Sequence, residues 1–265
     1  MIEHFKPAGH KAQELSDIVL PEETFKPIQR VVKRPRFLER LFGRKEQTVG
    51  YLYRDIEYKK GKVGDIVLSA MVLANGKKEL HYHSLGWQRY ENDHNKNPYR
   101  WFVPSGPLTT ELIYRTQQDI GPIGKNANES WNSAIKELPQ TSTIITCEDG
   151  IAQVAHNWNE PAITTNTPEE EHTVVTGDNG PNTQQFLQTV LGKRHAHTHR
   201  IFGQYGTPVR LWTKNKGTIA LEFCRSNGGT GFLIDAYISR NYPMSARGVS
   251  LLENFPSPQY KVRDD

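Results

Sequence analysis

Cysteine is nearly missing from this chain. Its 265 residues hold two, Cys147 and Cys224, which form neither a disulfide framework nor a cysteine metal spacing. A reduced, intracellular and cytoplasmic setting is therefore the expectation. No apolar run approaches the roughly 20 residues that cross a bilayer, so membrane insertion is not expected. The first ten residues are polar and include Pro7, which does not read as a signal peptide. Internal repeats are absent too. Strong charge of one sign is lacking: the net charge is +4 and the pI near 8.9. That balance permits a polyanionic partner without requiring one. Mean hydropathy is low at −0.66, but 10% aromatics argue for a real core rather than disorder. The length suits one large domain or two small ones.

What is present begins with a basic segment. Arg30, Lys33, Arg34, Arg36, Arg40, Arg44 and Lys45 crowd together. Phe37, Leu38, Leu41 and Phe42 share one helical face, with Pro35 suited to the first turn and Gly43 to the end. Either a docked surface helix or a basic arm for nucleic acid over residues 30–45 follows from this pattern. Next, two apolar runs, 65–73 and 78–87, flank Asn75-Gly76, a strong hairpin signal. In that hairpin His81, His83, Leu85 and Trp87 would share one face. Residues 88–107 read as a loop in which Tyr90, Tyr99, Trp101 and Phe102 lie among Arg89, Lys96 and Arg100, a mixture able to stack bases and hold phosphates.

Two helices follow. Thr109 or Thr110 would cap the first, and Gly121 would follow its end. Asn128 would cap the second, which carries Trp131, Ala134, Ile135 and Leu138 and stops at Pro139. A strand pair turns at Glu148-Asp149-Gly150. Residues 157–181 read as a long surface loop with a short strand at 173–176. Pro181 opens a helix that Gly192 closes. The C-terminal part, with runs at 208–213, 218–224 and 231–239, reads as an antiparallel meander. Residues from Pro256 read as unstructured. The expected division is a basic extension over 1–47, a single α+β domain over 48–255 and a flexible tail over 256–265. The expected fold class is α+β, mainly antiparallel sheet with a few packed helices.

The stretch furthest from random composition is Arg194-His195-Ala196-His197-Thr198-His199-Arg200, which holds three of the 10 histidines. As a strand, it would place His195, His197 and His199 on one face, neighbours about 6–7 Å apart at ~3.3 Å rise. His81-x-His83 and His195-x-His197 are then two half-sites for a divalent metal (zinc, manganese or magnesium). Without metal, two of these histidines would serve as general base and acid for phosphodiester cleavage. Lys193, Arg194 and Arg200 would stabilise the developing charge. Arg89, Arg100 and Trp101 complete the expected substrate contacts. A third reading leaves the histidines as a solvated face or an interface stripe.

Two resemblances accompany these patterns. His81-Tyr82-His83 and His195-Ala196-His197 each look like the His-hydrophobic-His strand of HUH endonucleases. That family nicks single-stranded nucleic acid with a metal and a tyrosine nucleophile, a role the resemblance would give to Tyr114. Separately, Tyr53-Arg54, Thr141-Ser142-Thr143 and Glu169-Glu170-Glu171 resemble in order the Arg, Ser-Thr-Ser and Glu-x-Glu elements of mono-ADP-ribosyltransferases, with Thr-Ser-Thr in the middle position. The functions ranked from sequence are a histidine-dependent phosphodiesterase or nuclease, a non-catalytic structural or assembly protein (for example viral) with a histidine-rich interface, and an ADP-ribosyltransferase-like enzyme. A homo-oligomer is compatible with each.

Overall fold

The computed structural model describes residues 23–35, 42–43, 45–76, 78–137, 139–158, 160–225 and 231–264. The helix expected over 35–43 lies largely outside them. Two antiparallel-rich sheets carry the fold. The first contains β1 (Gln29–Lys33), β2 (Gln47–Lys59) and β3 (Lys62–Val72). A two-stranded ribbon, β4 (Ala74–Asn75) and β5 (Lys78–Glu79), leads to helix α1 (Ser84–Asn92), then α2 (Gly106–Gln118) and α3 (Pro122–Ala134). The second sheet begins with β6 (Gln140–Glu148), β7 (Ile151–Ala155), β8 (Ile163–Asn166) and β9 (His172–Val174). Helix α4 (Pro181–Leu191), a 3₁₀ segment (Gly192–His197) and α5 (Thr198–Gly203) precede β10 (Val209–Thr213), β11 (Gly217–Arg225) and β12 (Phe232–Ala236). The chain returns to the first sheet with β13 (Arg247–Leu251) and β14 (Tyr260–Arg263). Strand orders are β13-β3-β2-β1-β14 and β8-β7-β6-β11-β12-β10-β9. The class is α+β with mainly antiparallel sheet. Among the described residues no helix is long and apolar enough to cross a membrane.

Period-two alternation sorts the β2 and β3 side chains between two cores. Tyr51, Tyr53, Ile66 and Leu68 join a cluster with α2, α3, α4 and the second sheet, including Leu112, Trp131, Phe186 and Phe223. Leu52 and Val67 point the other way, toward Trp87, Trp101, Val103 and Phe255. Both faces are covered, which is why 66–73 reads as a nearly unbroken apolar run. Leu112 is fully buried, so truncation to alanine there costs about 2–5 kcal/mol.

Several expectations need correction. Asn75-Gly76 does mark a turn, but Asn75 pairs with Lys78 and so belongs to the strand, leaving Gly76 as the described turn residue. That ribbon is two residues long on each side, while β3 pairs instead with β2 and β13. His81 and His83 are therefore not on a strand. Residues 88–107 are not loop throughout, since α1 reaches Asn92. The first predicted helix begins at Gly106, behind Ser105, and the second at Pro122, ahead of the expected cap. The 157–181 stretch holds two short strands, β8 and β9.

Residues 193–200 are helical, not extended. Gly192, at φ 70, ends α4, and the buried positions that follow are Arg194, Thr198, Ile201 and Phe202. That spacing, i, i+4, i+7 and i+8, is helical. Counting histidines concealed it, because two of the buried positions are polar. The C-terminal meander is also incomplete: β10 pairs with β12 in parallel and does not pair with β11. Two glycines allow this approach. A Cβ on Gly206 would meet the Gly231 carbonyl carbon at 2.7 Å, and one on Gly231 the Pro208 oxygen at 2.4 Å. Finally, residues 260–263 are strand rather than flexible tail and pair with β1.

Candidate functional site

The predicted histidines are placed by local contacts. His81 is exposed and His83 half-buried. His83 is the N-cap of α1, its Nδ1 accepting from the Gly86 N–H at 3.3 Å. His195 lies within hydrogen-bond distance of its own turn, Nδ1 to the Gly192 oxygen at 3.1 Å, which fixes the proton on Nδ1. Burial lowers the His197 imidazole, helped by the charges of Arg200 and Arg194. His199 is exposed. Helical winding turns His197 away from the side shared by His195 and His199. Among the described residues no three His, Cys, Asp or Glu side chains are grouped to hold a metal ion.

Arg194, expected to meet substrate, is built into the fold. Its Nε donates to Glu111 Oε2 at 2.7 Å and its Nη2 to Glu23 Oε2 at 2.5 Å. Its guanidinium carbon stands 4.1 Å from the centre of the Tyr114 ring. The tyrosine proposed as nucleophile is thus a platform for an arginine. Arg115 also donates to Glu111, at 2.7 Å, and its guanidinium covers Phe25 at 4.5 Å. Burial alone would raise the Glu111 carboxyl. Hydrogen bonds from Arg194 and Arg115 outweigh it and hold the group below the usual carboxylate range.

In the aromatic–basic loop, Trp101 is buried against Phe255, while Arg89, Arg100 and Arg200 are exposed. The aromatics turn inward and the charges outward, so no stacking ladder forms. The three elements of the ADP-ribosyltransferase pattern have separate partners. Arg54 pairs with Asp65, Thr143 with His156, and Glu169 accepts from Thr183.

The structure offers a different cleft, about 680 Å³, that sequence reasoning did not assemble. Its walls are the tip of the β2–β3 hairpin (Tyr58, Lys59, Lys60, Val63), the start of α2 (Ser105, Pro107, Leu108), the group His156, Asn157, Glu160, Pro161 and Ile163, and the Gly192-Lys193 turn. His156 lies in the wall. Its Nε2 faces the Thr189 carbonyl at 3.1 Å, so that nitrogen donates. Nδ1 is then the acceptor for the Thr143 hydroxyl, 2.8 Å away. Thr143 Oγ1 in turn accepts from the Gly106 N–H at 2.9 Å, at the start of α2. Burial lowers the His156 imidazole, and the neutral tautomer satisfies all its neighbours.

Charges at the cleft are partly matched. Glu111 takes Arg115 and Arg194, with Lys193 at 3.5 Å. Asp55 takes Lys26. Glu57 accepts from the Gly61 N–H and Glu160 from Asn157. Lys59 lies over the Phe102 ring, 5.4 Å from its centre, and its ammonium remains available to an anion. A lone histidine and two hairpin lysines carry no sequence pattern, which is why they escaped notice.

A second polar feature crosses the second sheet. Register places Gln140, Glu222, Asp235, Trp212 and His172 side by side on five neighbouring strands. Glu222 is 1% exposed, and its Oε2 has no partner. Burial, then the neighbouring Asp235, pushes its carboxyl up to about 8. Comparisons of this chain with family models, curated proteins and solved structures return no match.

Proposed function

We propose that this chain binds a phosphate-bearing ligand, a nucleotide or nucleic acid, in the cleft between the β2–β3 tip and the Gly192-Lys193 turn, and acts on it as a phosphodiesterase. The observation that carries this reading is the combination of Lys59, Lys60 and Lys193 with an apolar wall of Tyr58, Val63, Leu108 and Ile163. Lysines meet phosphate oxygens as point charges. The apolar wall suits a base or sugar. Burial keeps the His156 imidazole in the wall neutral, the form a general base needs, and its Nδ1 becomes free to accept a proton when the Thr143 hydroxyl turns away from it. A divalent metal remains one arm of the test, with cleavage measured in chelator and with zinc, manganese or magnesium.

The test is binding of a fluorescent single-stranded oligonucleotide at several salt concentrations. The K59E/K60E variant is expected to bind at least tenfold more weakly. Its salt slope should fall by roughly 1.4, two phosphate contacts at about 0.7 each for single strands. Equal affinity and slope in wild type and variant, with circular dichroism unchanged, would sink the reading. A non-catalytic binding or assembly role is the second reading. It is favoured by the commitment of Arg194, Tyr114 and Trp101 to packing. Binding without cleavage under all metal conditions would select it.

A further inference from the structure

We propose that the interior around Arg247 holds a small monovalent anion of the halide class, bound by donors of Arg247 and Trp131. Arg247, on β13, is 1% exposed, as is Trp131 on α3. The guanidinium lies over the indole, 4.2 Å from its centre. One nitrogen, Nη2, donates to the Ser69 carbonyl. Nε and Nη1 of Arg247 have no acceptor, and Nε1 of Trp131, with the Tyr53 hydroxyl beside it, makes no bond of normal geometry. All three unmatched atoms are donors, so what is missing is an acceptor.

The charge is unmatched as well. The titratable groups that face Arg247 are Tyr51 and Tyr53 on β2 and Tyr205 after α5. Burial raises all three phenols, Tyr53 to about 12, so they are neutral near pH 7. Two of the hydroxyls spend their protons elsewhere: Tyr53 donates to Thr116 Oγ1 at 2.6 Å, since Thr116 itself donates to the Leu112 carbonyl, and Tyr205 donates to Asn128 at 2.9 Å. No carboxylate among the described residues forms an ion pair with Arg247. Burial draws its guanidinium down only to about 10, which leaves it charged. A buried charge without a counter-charge is strongly unfavourable. Stacking on Trp131 attracts the cation but supplies no negative charge. A water would satisfy donors without neutralising the charge, whereas a halide does both. The neighbours are buried, which confines the proposal to a single small ion.

The experiment is a thermal melt at fixed pH and ionic strength, with sodium gluconate replaced stepwise by chloride or bromide. The melting temperature is expected to rise with the logarithm of halide concentration once Kd is exceeded. Trp131→Phe keeps the stacked ring and removes one donor, so its rise should begin at higher halide. Arg247→Met should abolish the rise. In bromide-soaked crystals an anomalous peak is expected within hydrogen-bond distance of Arg247. Identical melting in gluconate, chloride and bromide overturns the proposal, as does an undiminished halide response in Arg247→Met. Should that variant fail to fold, Trp131→Phe and the bromide map decide. An ordered water there, with no peak, also overturns it.

Discussion

Arg194 and Arg247 are both buried, both stacked on an aromatic ring, and otherwise opposites. Arg194 has two carboxylates, Glu111 and Glu23, and they raise its proton affinity above the ordinary value despite burial. Arg247 has one backbone carbonyl and no acid, and burial lowers it. The arginine that looked functional in the sequence, flanked by histidines, is a strut. The one that drew no notice, in Ser245-Ala246-Arg247-Gly248, is the charge the fold leaves unanswered. Conspicuous local composition is thus a poor guide to which charge is free, because a partner can come from 83 residues away, as Glu111 does for Arg194.

The comparison can be broken most directly at Arg194. Arg194→Met leaves Glu111 buried beside Arg115 and Lys193 and is expected to cost about 3–5 kcal/mol in a urea melt. The Arg194→Met, Glu111→Gln double variant should recover part of that loss. If the single variant loses under 1 kcal/mol, the network is not a strut. Buried acids offer the next largest effect, with opposite signs of pH dependence. Glu111 is held low, so its contribution is present above the ordinary glutamate value of 4.5 and is lost as pH falls below it. Glu222 is held high, so its contribution is complete below 4.5 and is lost as pH rises toward about 8. Glu222→Gln should flatten the decline between pH 4.5 and about 8, a change on the order of 4 kcal/mol across that window by linkage. A wild-type melting temperature constant from pH 5 to 8.5 would count against the buried neutral acid.

A smaller effect sharpens the contrast between the arginines. In halide-free buffer Arg247→Met removes an unpaired charge rather than breaking a pair. Its stability should stay within about 2 kcal/mol of wild type, or exceed it. A loss as large as that of Arg194→Met would mean that Arg247 has a partner. The smallest effect is expected at Glu23, whose side chain is 46% exposed. Glu23→Gln should change the unfolding free energy by less than about 1 kcal/mol.

Much of the fold was legible locally. The Asp149-Gly150 turn, with φ of 49° and 80°, appears where the sequence places it between β6 and β7. Helix α4 begins at Pro181 and ends before Gly192, as Pro and Gly at those positions predict. The α+β class followed from alternation in β11 and β12 and from the helical stripe of α3. The failures share a cause. His195 to Arg200 alternates like a strand, but its burial is set by Arg194 and Thr198, whose partners come from α2 and the chain's own helical turn. His81 and His83 follow an apolar run that stops at β3, because β13 arrives from residues 247–251 to take the edge of that strand.

Sequence alone therefore determined the elements governed by short-range rules: turns, caps, periodicities and the absence of a membrane-spanning helix among the described residues. Tertiary structure decided which strands are neighbours, that β10 runs parallel beside β12, and which charges meet. It brought Lys59, Lys60, His156 and Lys193 to one cleft and left Arg247 without an acid. Turn chemistry and side-chain period act over a few residues, within reach of a single segment's steric limits. Charge pairing and cleft formation depend on distances across the fold, which no local pattern encodes.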